Sequence, residues 1–461
     1  MKLTFSAELP GHSPESVFAW HERPGAFERL TPPWTKVRVL ESNGGIGEGG
    51  RRVLRVKYGP SAYRWELRHT GYRRGERFVD EQVSGPMRRW RHEHLFEPTE
   101  DGGTRIVDRL DVELPAGAGA GFAPNLVKRE LGRFFAFRYR RLQADLDRHA
   151  EHSGAPGLRV GVSGASGLVG SALCAFLETG GHDVLRFTRR HGEAAGSPGG
   201  SRAYWNPAAG EMDEKALRGL DAVVHLAGAP IAQGRWTPDR RRAIRLSRTR
   251  GTALMSRALA RSSSGPRTLV SASAVGYYGN RGDQRLDESA KSGRGFLADV
   301  CREWEGATEA AEKAGIRVAK MRIGPVLSPA GGALGQMLLP FKFGVGGRIA
   351  AGRQYFSWID ADDLTAAIHH VLRDGRLGGA VNATAPNPVP NAAFTSALGR
   401  ALGRPTLVPV PSLAIKAAFG QLGTEVLLWG QRAVPAKLIE SGFRFEFEGA
   451  EDSLAHQLGR T

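Results

Sequence analysis

The sequence predicts an α/β protein built of two unlike parts. Residues 1–150 form an α+β region of antiparallel strands served by one long helix, and a parallel sheet flanked by helices begins near residue 158. Three observations carry this. Six consecutive strand-like runs in the first part are separated by Gly or Pro rather than by helical segments. From residue 158 onward, strand-like runs alternate with helical ones, the grammar of strand–helix–strand units. Between the two lies Ala150-Glu151-His152-Ser153-Gly154-Ala155-Pro156-Gly157, polar, small and rich in breakers, as a linker is. At 461 residues the chain is too long for one ordinary core, which agrees with that division.

The elements follow in order. Leu3–Leu9 alternates as a half-buried strand does, and Pro14-Glu15-Ser16-Val17-Phe18-Ala19-Trp20 opens a short helix with Pro in its first turn. Strands are predicted over 37–42, 51–57, 62–70, 76–84, 88–96 and 104–113. A helix starts near Pro124, and its Leu131, Phe135, Tyr139, Leu142 and Leu146 fall on one face, a stripe that requires a sheet to cover. Strands over 158–163, 183–187, 221–226, 267–273 and 316–322 then compose the parallel sheet, with a surface loop at 192–201.

A sheet wrapped on a C-terminal helix, with Gly85-Pro86 ahead of Trp90-Arg91-His92-Glu93-His94-Leu95-Phe96, resembles the helix-grip fold of the START-like (SRPBCC, polyketide cyclase-like) superfamily. The resemblance implies a cavity for an apolar ligand, with Trp65, Phe78, Trp90, Phe134 and Tyr139 as candidate lining or as plain core. His92 and His94 share one face of a strand. With no third ligand evident, no metal site is predicted.

The chemistry concentrates where the second part begins. Ser163-Gly164-Ala165-Ser166-Gly167-Leu168-Val169-Gly170 joins a strand directly to a helix. Gly164, Gly167 and Gly170 permit a tight turn, close backbone approach and helix-to-strand packing. Ala165, Ser166 and Leu168 complete a helix N-terminus that offers N–H donors to a pyrophosphate. A Rossmann-type dinucleotide site is therefore expected. The next strand ends in Arg189-Arg190 where an NAD-preferring site carries an acid, so the expected cofactor is NADP. Asp221–His225 ends in Leu226-Ala227-Gly228, small enough for the chain to run beside the cofactor.

Those motifs resemble the extended short-chain dehydrogenase/reductases. Leu269-Val270-Ser271-Ala272-Ser273-Ala274-Val275-Gly276-Tyr277-Tyr278-Gly279 looks like their catalytic-serine strand. Phrases such as Trp205-Asn206-Pro207, Ser247-Arg248, Arg322-Ile323-Gly324-Pro325 and Phe356-Ser357-Trp358-Ile359-Asp360 are similar to the YfcH-type (SulA-type) epimerase family. The resemblance implies a reductase domain over 158–385 and a small C-terminal domain over 386–461 that contributes to the substrate lobe. It also implies cofactor contacts from Ser271 and Arg322, and a hydroxyl from Ser273 at the substrate. The family's Tyr-x-x-x-Lys pair is missing, since the matching helix reads Phe296-Leu297-Ala298-Asp299-Val300. Tyr277 or Tyr278 then either replaces the proton donor, with Phe296 facing it as an apolar wall, or serves the core. The arginine that nucleotide-sugar enzymes of the extended class set before their Ile-His-Val-x-Asp segment is also absent. Asp360 and Asp362 are read as an N-cap and first-turn acid of a helix over 361–372.

Three functional classes remain open: an NADP-dependent oxidoreductase or epimerase acting on a nucleotide sugar or other small molecule, a catalytically idle NADP sensor or scaffold, and a binding protein of the START-like pocket. The net charge of +17 is spread over both parts, and nothing matches a recognition motif, so no nucleic-acid partner is expected. No apolar run has the roughly 20 residues of a membrane span and no leader-like stretch occurs near Met1, so neither insertion nor export is expected. Two cysteines, Cys174 and Cys301, suit a cytoplasmic protein without disulfides. Oligomeric state is not legible.

Overall fold

The structure, a computed structural model, describes all residues except 60, 116–122, 190–200, 233 and 461. The chain divides into two compact units, Met1–Gly157 with Ala175–Gly181 and Gly459–Thr461, and Leu158–Cys174 with His182–Leu458. The segment expected as a small terminal lobe belongs, up to Leu458, to the same unit as the parallel sheet.

The first unit opens with β1 (Lys2–Leu9), α1 (Pro14–Glu22) and α2 (Ala26–Leu30). There follow β2 (Lys36–Asn43), β3 (Arg51–Tyr58), β4 (Ser61–Arg73), β5 (Arg77–Ser84), β6 (Arg89–Pro98), β7 (Thr104–Glu113) and α3 (Ala123–Ala150). Ser13 caps α1 by accepting from the Ser16 N–H, with Pro14 in the first turn where no donor is missed. The sheet order is β1-β7-β6-β5-β4-β3-β2, each pair antiparallel, so β1 returns to lie on β7 with Leu3 opposite Leu110. The α3 stripe covers this sheet: Leu131 and Phe135 meet Leu110 and Val112, while Leu142 and Leu146 join Leu9, Val17 and Phe96. Burying such side chains contributes about 1.5–3 kcal/mol each.

Within this unit lies a cavity of about 240 Å³ whose wall carries His21, His69, Asp80 and His94 beside Phe78 and Ile46. Of the aromatic residues expected to line it, Phe78 does. Trp65 and Trp90 meet edge to face at 5.1 Å instead, and Trp90 packs with Phe134 and Tyr139 on Leu110 and Val112. These rings fill the sheet–helix interface, so the cavity wall is more polar than the sequence implied.

The second unit is built on β8 (Arg159–Ser163), the part of α4 (Leu168–Thr179) up to Cys174, β9 (Asp183–Thr188), β10 (Arg202–Asn206), β11 (Glu211–Met212) and β12 (Ala222–His225). It continues with α5 (Pro238–Arg261), β13 (Thr268–Ala274), α6 (Phe296–Gly306) and the strands Arg317–Ile323 and Gly379–Ala383. The eight-stranded sheet runs β11-β10-β9-β8-β12-β13, then Arg317–Ile323, then Gly379–Ala383. All pairs are parallel except β10 with β11. Chain order reverses between β8 and β12, and the crevice beyond their carboxyl ends is where such sheets bind ligands. Among the described residues no helix is long and apolar enough to cross a membrane.

Asp360 caps the helix Ala361–Arg373, accepting from the Asp362 N–H at 2.8 Å. The same fully buried carboxyl receives Ser453 Oγ and Gln457 Nε2 from the helix Ala450–Gln457. Asp363 accepts from the N–H groups of Glu446 and Phe447. Burial, with Asp362 and Asp363 adjacent, pushes the Asp360 carboxyl well above its ordinary value of 3.8. A raised folded pKa means that this group favours the fold below the unfolded value and loses that contribution as pH rises through the folded one. Asp360→Asn, which keeps the cap and removes the charge, is expected to match the native chain in stability near pH 4 and to exceed it increasingly at neutral pH. Chemical denaturation of both proteins across that range checks the sign.

Candidate functional site

The turn from β8 into α4 is shaped by what glycine lacks. Gly164 has φ +72°, and a Cβ there would stand 2.9 Å from Ala227 N, because the turn lies against the end of β12. A Cβ on Gly170 would come 2.1 Å from the Gly164 carbonyl oxygen. The turn is closed by Gly167 N–H on Gly164 O at 2.9 Å, and α4 starts at Leu168. Ala165 is half-buried, Ser166 and Gly167 are exposed. The first-turn N–H groups of α4 have no intrahelical acceptor and make an anion-binding end. Gly167 is exposed and Gly164 half-buried, and neither carries a side chain of its own to stand off a ligand, so the turn fits a dinucleotide pyrophosphate.

Around it the structure gathers the other candidates from neighbouring strands. Arg189 stands exposed one residue past β9. Arg190 lies outside the described residues. Leu226, Ala227 and Gly228 leave β12 beside Gly164, and His225 beneath them is fully buried, its Nδ1 hydrogen-bonded to Ser163 Oγ at 2.6 Å. Burial drives the His225 pKa down to about 4, so its ring is neutral.

Arg248 of α5 was quoted in the sequence only as part of a phrase, yet its guanidinium carbon lies 3.3 Å from where a Gly228 Cβ would be. It donates to the carbonyls of Ala229 and Ile244, lies 5.0 Å over the Trp304 ring, and pairs with no carboxylate among the described residues. Burial lowers its pKa to about 10. A buried cation at the mouth of β12 is the arrangement an anionic ligand group favours. No periodicity or motif marks it.

The β13 candidates divide. Ser271 and Ser273 are both buried, Ser271 reaching only the Ala272 carbonyl at 3.4 Å. Ser273 Oγ donates to Glu305 Oε1 at 2.7 Å, which leaves the hydroxyl oxygen free to accept. Arg322, expected at the cofactor, is instead the centre of a buried network. Its Nε and Nη2 donate to Glu305 at 2.9 and 3.0 Å, and its Nη1 to the Tyr278 hydroxyl at 3.0 Å and to the Glu288 carbonyl. Four of its five N–H groups are thereby engaged. Tyr278 is fully buried, and its hydroxyl donates to Asn382 Oδ1 at 2.7 Å, so it is a core residue rather than a free phenol. Burial raises its pKa. Tyr277 stays half-buried with its ring 3.5 Å from the Arg322 guanidinium carbon, and no described residue hydrogen-bonds its hydroxyl.

Phe296 does not face these tyrosines. It packs edge on to Trp236 at 5.0 Å in a cluster with Ile231, Ile244 and Leu422, while Tyr277 and Tyr278 cluster with Leu286 and Ala433. Glu425 is the reason for its placement. This buried acid accepts from the Phe296 and Leu297 N–H groups at 3.0 and 2.9 Å and so caps α6 from the C-terminal segment.

With this geometry in hand, the chain is similar to known proteins along its length. Residues 160–383 match the NAD dependent epimerase/dehydratase family, residues 10–136 match polyketide cyclase / dehydrase and lipid transport, and residues 410–457 match a domain of unknown function. An epimerase family protein of Mycobacterium tuberculosis is 46% identical over 302 residues, 65% of this chain and 98% of that protein. The human epimerase family protein SDR39U1 is 33% identical, with 63% of this chain and 96% of that protein aligned. A crystal structure described as the nucleoside-diphosphate sugar epimerase of Corynebacterium glutamicum is 35% identical, covers 99% of this chain and 90% of its own, and superposes with a TM-score of 0.82. Human SDR39U1 isoform 2, solved with NADPH, is 32% identical, covers 66% of this chain and 100% of its own, and has a TM-score of 0.60.

Breaking the buried pair separates a structural from a ligand-binding role for Arg322. Arg322→Met leaves Glu305 without its counter-charge and is expected to cost about 3–5 kcal/mol of stability. Denaturant unfolding followed by tryptophan fluorescence measures it.

Proposed function

The chain belongs to the epimerase family of extended short-chain dehydrogenase/reductases and carries a polyketide-cyclase-type N-terminal domain, and from that premise we propose that it is an NADP-dependent oxidoreductase or epimerase acting on a small molecule, nucleotide sugars among the candidates. The glycine turn of β8 and α4 against the end of β12 is the observation that carries this reading. The first-turn N–H groups after Gly167 would hold the pyrophosphate, Arg189 and Arg190 the 2′-phosphate, and Leu226, Ala227 and Gly228 the path of the ribose. The NADPH found in human SDR39U1 supports the choice of nucleotide. The cofactor, when bound, supplies or accepts a hydride.

The chain's own residues would do the rest. Ser273, held by Glu305, accepts a hydrogen bond from a substrate hydroxyl, and Tyr277, the tyrosine whose hydroxyl is uncommitted, exchanges the proton. A second reading, an idle NADP sensor, is favoured by one observation: the Tyr278 hydroxyl, the Arg322 guanidinium and the α6 N-terminus are all occupied by structural partners. An apolar ligand of the N-terminal domain belongs to either reading.

Gly170→Ala forces the turn open and is expected to weaken NADPH binding by at least about tenfold, or 1.4 kcal/mol, in calorimetry. Arg189→Ala should weaken NADPH and leave NADH nearly unchanged. Label transfer from deuterated NADPH into a metabolite pool decides between the readings. Transfer that falls in Ser273→Ala and Tyr277→Phe, with nucleotide affinity kept, supports the enzyme. Tight NADPH binding with no transfer supports the sensor.

A further inference from the structure

His92 and His94 alternate with Glu93 along β6, so both rings point to the inner face of the N-terminal sheet. Antiparallel pairing sets His92 opposite Asp80 of β5 and His94 opposite Asp108 of β7. The two rings lie 3.9 Å apart between these carboxylates, and both are buried. Asp108 stands on one side. Its Oδ1 is 2.7 Å from His92 Nε2 and 2.7 Å from His94 Nδ1, and its Oδ2 accepts from the Tyr139 hydroxyl at 2.6 Å. Asp80 stands on the other, its Oδ2 3.3 Å from His94 Nε2 and 3.9 Å from His92 Nδ1.

The proton count is the argument. A neutral imidazole has one N–H. His92 Nε2 gives that N–H to Asp108, so His92 Nδ1 presents a lone pair toward the Asp80 carboxylate, while His94 Nε2 is hydrogen-bonded to Asp80 at 3.3 Å. His69 repeats the problem. Its Nδ1 donates to the Gly45 carbonyl at 3.0 Å, and its Nε2 lies 2.8 Å from Asp80 Oδ1. Asp80 Oδ1 and His94 Nδ1 are buried without a hydrogen-bond partner. A lone pair turned on a buried carboxylate, with polar atoms beside it left unmet, is an arrangement that a bound cation satisfies.

We propose that Asp80, His92 and His94 bind a divalent first-row transition metal of the zinc class. Their ligand atoms lie within 4.8 Å of one another. The 3.3 Å between Asp80 Oδ2 and His94 Nε2 matches the edge of a tetrahedron with bonds of about 2.0 Å. The His92 Nε2 bonded to Asp108, with Tyr139 behind that carboxylate, reproduces the carboxylate–histidine–metal arrangement that orients zinc ligands. Imidazole and carboxylate donors without thiolate select zinc, cobalt or nickel over calcium and magnesium. Three protein ligands leave the fourth position open. That position faces the cavity of about 240 Å³, whose wall includes Asp80, His94, Arg52 and Arg138. The open coordination site therefore takes water or an anionic oxygen of a ligand held there, with the two arginines as counter-charges.

The test uses the full, untagged chain after treatment with a chelator. Calorimetric titration with Zn²⁺ should show one equivalent binding at micromolar or lower concentration, and Co²⁺ should give the intense visible bands of a tetrahedral centre. Asp80→Asn, a near-isosteric change beside the cavity, should remove that equivalent, and Asp108→Asn should weaken it about 10–100-fold. His92→Ala and His94→Ala should also remove it. Circular dichroism and the melting temperature show which variants keep the fold, and Asp80→Asn decides if the histidine variants do not. A stripped wild-type protein that takes up neither Zn²⁺ nor Co²⁺ overturns the proposal and leaves a protonated His94 as the buried cation. Uptake that Asp80→Asn does not change overturns it equally.

Discussion

The Arg322–Glu305 pair is the constraint around which the parallel-sheet unit is assembled. Two charges removed from water need every lone pair and proton met, and the partners come from far apart in the chain. Glu305 arrives on α6, Ser273 on β13, Arg322 on the next strand, and Tyr278 from the turn after β13. Asn382 on the outermost strand of that side then accepts from the Tyr278 hydroxyl and donates through its amide Nδ2 to the Leu286 and Val434 carbonyls. One buried ion pair thus holds a helix, three strands and the segment that returns from the C-terminal region in a single register.

The same demand explains the C-terminal segment. Asp360, Asp363 and Glu425 are buried acids at or near helix starts, where helix dipoles and free N–H groups favour a carboxyl oxygen. Two of them take further donors from residues 446–457, and the third comes from residue 425 to the head of α6. The helix that carries a Tyr-x-x-x-Lys pair in other reductases is here anchored through Phe296 to Trp236 and through its first N–H groups to Glu425. Its two substituted positions serve packing and capping.

Elements were legible where one residue's role depends on its neighbours in sequence. The strand runs of the first 113 residues, the α3 stripe and the glycine turn all rest on short-range periodicity and on backbone freedom. So does Asp360 as an N-cap. Roles that depend on residues brought together by folding were not legible. Arg322 looked like part of a family phrase, yet its partner Glu305 lies 17 positions away with nothing to mark the pairing. Tyr277 and Tyr278 were equivalent in sequence, and a 3-10 turn over Val275–Tyr278 separates them, one ring into the core and one half-buried. His92 and His94 could be paired by alternation alone, but Asp80 reaches them only through the register of β5 on β6. Arg248 stood in a family phrase, but its burial carried no signal, because a buried arginine is identical in sequence to a solvated one.

Glu425 on α6, and Ser453 with Gln457 on Asp360, bear on the order in which the chain acquires its shape. A ribosome extends the chain from the N-terminus at about 5–20 residues per second, and domains fold as units during that growth. The strands of the parallel sheet are complete by Ala383, but α6 waits for residue 425 and the buried Asp360 for residues 453 and 457. Until residues 453 and 457 emerge, the nascent sheet holds open helix ends and an unmet carboxyl. The unit therefore closes only once residue 457 has emerged, and a chain stopped before that point would leave those groups open to water and to chaperones.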